Sequence, residues 1–450
     1  MTRKKEISEF KASIITIFEH SFTFSFLAMH HPTRKLLVAA IAALFPIEVL
    51  ALDITSDDLD PYDFYLEITE GSFIPDLDLN YTGTDAVYPT MVFADLISEL
   101  LDSDTTISIT ATGGPGLIAV EADSSTLSGY AFNLSVSHAD ATSDTHGLYL
   151  YDSDITDLTS LNIDLVASSS VSSALAITYG ADTVLNFPVS ISAKNQNGDL
   201  ANAIYLYDTN LTFNGTTSIV GNISGGADSS VTLNLSEGSS FTGDIENLLP
   251  ASVTLQSGAT WQPITADYLT SASRAFSFTW GEGGVLDLTD INRALTMTDV
   301  TVEDGALMTV ALTDNTPSGP LLTVTAVPDD GSSARIYVDV TDDRSAFSEV
   351  ILFENTQGYA ITLEGITQSV EDDFFTYDKT PVIGRPSGGE EGYALTGFNV
   401  VKTGMTPLTS DISSIALSSG YLHEKHFMRH FSLLSDIARV DLGQAATVAA

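Results

Sequence analysis

The sequence predicts an all-β fold, a right-handed parallel β-helix (solenoid) with a short N-terminal helical patch and a C-terminal helix. Three observations carry that expectation. First, one phrase occurs twice: His146-Gly-Leu-Tyr-Leu-Tyr-Asp-Ser-Asp-Ile-Thr-Asp-Leu158 is echoed by Asn202-Ala-Ile-Tyr-Leu-Tyr-Asp-Thr-Asn-Leu-Thr-Phe213. The copies start 56 residues apart, which suits two or three coils of a structure whose units bury their apolar faces by stacking. Second, charged residues are 17% of the chain while hydrophobic ones are 44%, and Ser, Thr, Asn and Gly fill the remainder, a balance that favours strands and turns over helices. Third, strand-like runs recur at roughly 8 to 12 residues without an evident linker.

The chain carries 59 acidic and 17 basic residues and no cysteine. Six of the basic residues precede Leu36, and none stands between Lys35 and Lys194. Such a surface repels nucleic acid and anionic membranes. Without disulfides, stability rests on packing and backbone ladders.

In order, residues 1–52 read as a leader. His30-His-Pro-Thr-Arg-Lys35 is a basic region, Leu36 to Phe45 an apolar one, and Val49-Leu-Ala51 a small-residue ending, so residues 29–52 form a signal peptide cut near Ala51 or Leu52. Residues 1–28 read as an extension upstream of Met29 that stays out of the fold. Residues 53–104 form an acidic, capping region with a helical patch at Thr90 to Leu101, where Val92, Leu96 and Leu100 adjoin Phe93, Ile97 and Leu101. Residues 105–410 form the solenoid, with alternation in Thr106-Ile-Ser-Ile-Thr, Val231-Thr-Leu-Asn-Leu and Arg335-Ile-Tyr-Val-Asp-Val. Gly113-Gly-Pro-Gly116, Asn197-Gly198 and Glu282-Gly-Gly284 punctuate it. Coils of roughly 22 residues would give about 14 turns and a rod of about 65 Å. Residues 411–450 contain a helix, with Leu422, Phe427, Phe431, Leu434 and Ile437 near helical spacing, and a small-residue tail.

This order of parts resembles the passenger region of bacterial autotransporters of the pertactin and AIDA type. Gly258-Ala-Thr-Trp261 is similar to their Gly-x-x-Trp turn, Gly283-Gly-Val-Leu-Asp-Leu288 to their Gly-x-Leu-Asp-Leu coil, and Val350 to Leu363 to the last coils ahead of their linker helix. The resemblance covers roughly residues 34 to 440. It implies export to the cell surface, outer membrane or extracellular space of a Gram-negative bacterium, and an outer-membrane translocator barrel as partner, which this chain lacks.

Chemistry-bearing motifs are sparse. No Gly-Asp-Ser-Gly-like nucleophile turn occurs, and His138 and His146 read as surface residues beside turns. Asp152, Asp154, Asp157 and Asp208 read as strand terminators bonding their own backbone; converging on one face, they would instead suit a carboxylate-based polysaccharide hydrolase. Asp76-Leu-Asp-Leu-Asn80 has calcium-loop alternation with a misplaced Gly83, and His423, His426 and His430 share a helical face; both read as ordinary surface. No catalytic, cofactor or metal residue is assigned. The candidate ligand surface is Tyr149, Tyr151, Asp152, Tyr205, Tyr207 and Asp208, where polar ladders flanked by aromatics would hold a host glycan or a cell-surface protein through many weak contacts. The expected role is a non-catalytic adhesin or spacer, with a polysaccharide-active enzyme as the alternative.

Overall fold

In the computed structural model the described residues are 50–405, apart from 56–63, 70–71, 84–87, 265–275, 291–293, 317–318, 372–374, 388–391 and the single positions 170, 227, 249, 330, 332 and 359. They form an all-β solenoid of parallel strands with no helix. One long face holds 13 strands, from Leu50–Thr55 to Ile361–Gly365. A second face of eight strands runs from Phe64–Ile68 to Ile245–Glu246. A third begins with the pair Thr126–Ser128 and Asp154–Thr156 and continues as an 11-stranded sheet from Thr183–Leu185 onward.

Alternation explains the core. In Ala306–Leu312 and Ser230–Leu235 every second residue is buried, because successive side chains of a strand point to opposite faces. In-register stacking then lines like on like. On the long face one inward column runs Ile107, Leu134, Ile163, Ile191, Ile219, Phe241, Trp261, Leu286 and Met308, all buried. Each aliphatic member contributes about 1.5–3 kcal/mol of burial, and each contacts mainly the coils above and below.

Corners are closed by small hydroxyls. Ser125 Oγ accepts the Ile97 N–H at 3.1 Å and Ser153 Oγ the Ser125 N–H at 2.9 Å. Ser172 Oγ serves Thr145 N–H and Ser239 Oγ serves Thr217 N–H. A buried backbone donor without a partner is costly, so the abundance of serine follows from the number of corners.

Several expectations change. The stretch from Thr90 is not helical: Thr90–Asp95 is a strand of the second face, and Leu96 turns the chain with φ 56°. Its apolar residues fit a helix by spacing, but in-register partners Leu66 and Val120 on either side of Val92 select a strand. The described residues between 53 and 104 are therefore coils of the same stack. Among the described residues the first strand starts at Leu50 and pairs Leu50 with Leu77, so the predicted cleavage point falls inside it; Asp53, bonded by Asn80 Nδ2 at 3.0 Å, and buried Ile54 lie beyond that point.

Coil length is also uneven. Val189 pairs with Thr217, 28 positions on, whereas Ser240 pairs with Thr260, 20 positions on. The shortening begins while the second face still continues, Asn202 pairing with Asn222, and coils lengthen again beyond that face, Ala306 pairing with Ile336, 30 positions on. Eleven of the 13 long-face strands lie from Thr105 onward, against about 14 turns expected there. At the C-terminal end, the antiparallel strands Gln368–Glu371, Phe375–Gly384 and Tyr393–Met405 complete the third sheet. The predicted C-terminal helix and His423, His426 and His430 lie outside the described residues.

Candidate functional site

The echoed phrases occupy the second face as strands Thr145–Tyr151 and Asn202–Tyr207, with Ser173–Thr178 between them. The 56-residue offset is thus two coils. Tyr149, Ala176 and Tyr205 share one outward column, and Tyr151, Thr178 and Tyr207 the next. Tyr149 and Tyr205 are half-buried, and Thr178 Oγ1 donates to Tyr149 Oη at 3.3 Å.

One position further, the strand turns toward the third face through a residue of positive φ in five successive coils: Leu96, Ser124, Asp152, Tyr179 and Asp208, with φ between 45° and 56°. Backbone bonds place them in line, Ser124 N to Tyr151 O, Asp152 N to Thr178 O and Tyr179 N to Tyr207 O. Asp and Ser tolerate this region, whereas a tyrosine there costs about 1–2 kcal/mol. Such local strain concentrates at functional sites.

Tyr179 brings the candidate surface together. Its ring sits edge-on between Tyr151, at 5.5 Å and 65°, and Tyr207, at 5.2 Å and 74°. Tyr151, Tyr179 and Tyr207 are 41%, 48% and 42% exposed. The result is an aromatic ladder along the solenoid axis. Hydrogen bonding to Tyr207 and the charge of that phenol, then desolvation, then the Tyr151 and Asp208 charges, push the Tyr179 phenol up. The ladder ends beside Gly226, where an added Cβ would lie 3.1 Å from the Tyr207 ring.

Of the predicted residues, Tyr151 and Tyr207 form the ladder's two ends and Asp152 and Asp208 lie beside it, while Tyr149 and Tyr205 lie a column away. Tyr179 was not among them. Its signal was the unechoed middle coil Ser173-Ala-Leu-Ala-Ile-Thr-Tyr179, one coil after Tyr151 and one before Tyr207. Asp152 and Asp208 stand about 9.6 Å apart, two strand spacings, with Tyr179 between them where a hydrolase would need open space. Asp154 begins a third-face strand and Asp157 turns a loop with φ 50°, so the four aspartates do not converge.

Neither histidine is an exposed surface residue. His138 is fully buried, bonded to Thr145 Oγ1 and to the Gly113 carbonyl, each at 2.8 Å; its strand phase turns it inward between Ala111 and Ala167. Desolvation holds its imidazole below the usual value against the Gly113 bond. His146 is half-buried, 2.6 Å from Ser173 Oγ and 5.7 Å from the Tyr149 ring. Nearby, Thr90 Oγ1 donates to Glu121 at 2.8 Å. Burial raises the Glu121 carboxyl and, with Asp144, Tyr149 and Glu121 charges, the Tyr88 phenol.

On the long face a groove of about 350 Å³ is lined by Thr106, Ser108, Asn133, Ser135, Asn162, Asp164 and Ser190, and Asn162 Nδ2 donates to Asn133 Oδ1 at 2.8 Å. Asp76 Oδ1 accepts the Thr106 N–H at 2.6 Å, so the calcium-like stretch braces one coil against the next. Among the described residues no three His, Asp or Glu side chains gather as a metal site. No protein-family model, curated protein or solved structure matches the chain.

Proposed function

We propose that the chain is a non-catalytic β-solenoid, exported by its leader and displayed or released at the surface of a Gram-negative bacterium, where it acts as an adhesin or spacer of the autotransporter-passenger kind. The observation that carries this reading is the exposed ladder of Tyr151, Tyr179 and Tyr207, held by a stack of coils. Aromatic surface with polar handles is the usual material of recognition sites. Weak contacts along the three rings and their flanking polar groups add through multivalency. The partners are a host glycan or cell-surface protein on the ladder and a translocator barrel for export.

The test is binding of the exported chain to glycan arrays and to host cells, beside a Tyr151→Ser/Tyr207→Ser variant. Binding should fall at least tenfold in the variant while its circular dichroism is unchanged. Equal binding by both proteins, or sugar release from the bound glycan, would sink the reading.

A further inference from the structure

We infer that the ladder's ligand is an extended, arginine-bearing segment of a partner protein in polyproline II conformation. The inference rests on reading the ladder as a ligand strip, and it adds what that strip selects.

The first ground is charge. Asp152 and Asp208, both exposed, sit in line with Tyr179 at the same turn, and Asp123 pairs in register with Tyr151. The sequence contains no Lys or Arg from residue 36 to 193, and Lys194, the next, lies on the long face. The one Lys or Arg on these coils, Lys194, is thus on a different face from the carboxylates, so an acidic sugar is repelled at the ladder and a cation is drawn in.

The second ground is shape. A guanidinium is planar and weakly hydrated, stacks on aromatic faces and bonds a carboxylate through two parallel N–H groups. The three tyrosines keep 41–48% of their surface in solvent, and Gly226 places no side chain against Tyr207.

The third ground is spacing. Two strand spacings separate Asp152 from Asp208 by about 9.6 Å. One turn of polyproline II, three residues at about 3.1 Å each, spans about 9.3 Å. A β-strand places same-face side chains about 6.8 Å apart and misses this interval. A peptide with arginine at every third position therefore sets one guanidinium at each carboxylate, with Tyr179 between.

The test uses the full chain and a fluorescent Arg-Pro-Pro repeat peptide, beside a Glu-Pro-Pro repeat, an Arg-Pro alternating peptide of equal charge and a neutral oligosaccharide panel. Expected results are saturable binding of the Arg-Pro-Pro peptide, weakened by salt. Binding should be at least tenfold tighter than to the alternating peptide, and lost at least tenfold in Asp152→Asn/Asp208→Asn and in Tyr179→Asn. Equal binding of both arginine peptides, or an unchanged affinity in the double Asn variant, overturns the inference. Ladder-dependent binding of a neutral oligosaccharide without peptide binding also overturns it while leaving the adhesin reading intact. Failure of every probe to respond to the Tyr151→Ser/Tyr207→Ser variant removes both.

Discussion

Replacing Trp261 with alanine tests the core column most directly. Trp261 is fully buried, stacked on Phe241 at 6.1 Å and 9° and edge-on to Phe278 at 5.2 Å. Its Nε1–H donates to the Gly243 carbonyl at 3.3 Å. A tryptophan that buries roughly 200 Å² loses about 5 kcal/mol on area alone at 25 cal/mol per Å². Measured core truncations of this type cost about 3–5 kcal/mol because neighbours relax partly. The expected destabilisation is therefore about 4 kcal/mol. Because coils couple mainly to adjacent coils, Trp280, the one remaining tryptophan and also fully buried, reports the loss from close by. With a denaturant slope of about 3 kcal/mol per M, the urea midpoint followed by Trp280 fluorescence should fall by about 1.3 M. A change below about 1 kcal/mol would mean that Phe241, Trp261 and Phe278 do not form one packed layer, and the stacking argument would fail with it.

Gly147→Ala would place a Cβ 2.4 Å from the Ala174 carbonyl oxygen; this backbone contact cannot give, and thermal unfolding should show a loss of about 1–3 kcal/mol. Asn355 takes the Ala326 N–H and donates to the Ala326 carbonyl, both at 3.1 Å, inside the core. Asn355→Ala strands both groups and should cost about 3 kcal/mol in urea titration. His138 has its imidazole held below the unfolded value near 6.5, so the unfolded chain binds more protons and stability falls as pH drops through that value toward the folded one. Burial of Glu121 acts with the opposite sign at lower pH, since its carboxyl is raised. Urea midpoints should thus decline from pH 7.5 to 5.5, less steeply in His138→Gln, and identical slopes would contradict the assignment.

The coil register was legible because a Tyr-Leu-Tyr-Asp phrase returned with its turn chemistry intact, and alternation of small polar and apolar residues marked the strands. What alternation alone does not give is which neighbour a strand meets. Thr90–Asp95 fits two periodicities over six residues, and only its partners choose between them. Tyr179 escaped for a related reason: its ladder exists across three coils, and its own coil repeats neither copy. His138 was misplaced because a polar residue near a turn reads as exposed until the phase of Ala131–Ala139 is fixed by its neighbours. Coil length ranges from 20 positions between Asn202 and Asn222 to 30 between Ala306 and Ile336, so no fixed period runs through the sequence.

The unequal coils have a mechanical consequence. Pulled from its two ends, such a chain unravels turn by turn, and each turn released lengthens the tether by its own residues. A 28-residue coil yields about 95 Å and a 20-residue coil about 68 Å at full extension. A single molecule stretched between two beads would therefore write the position of its breaking point into the size of each step.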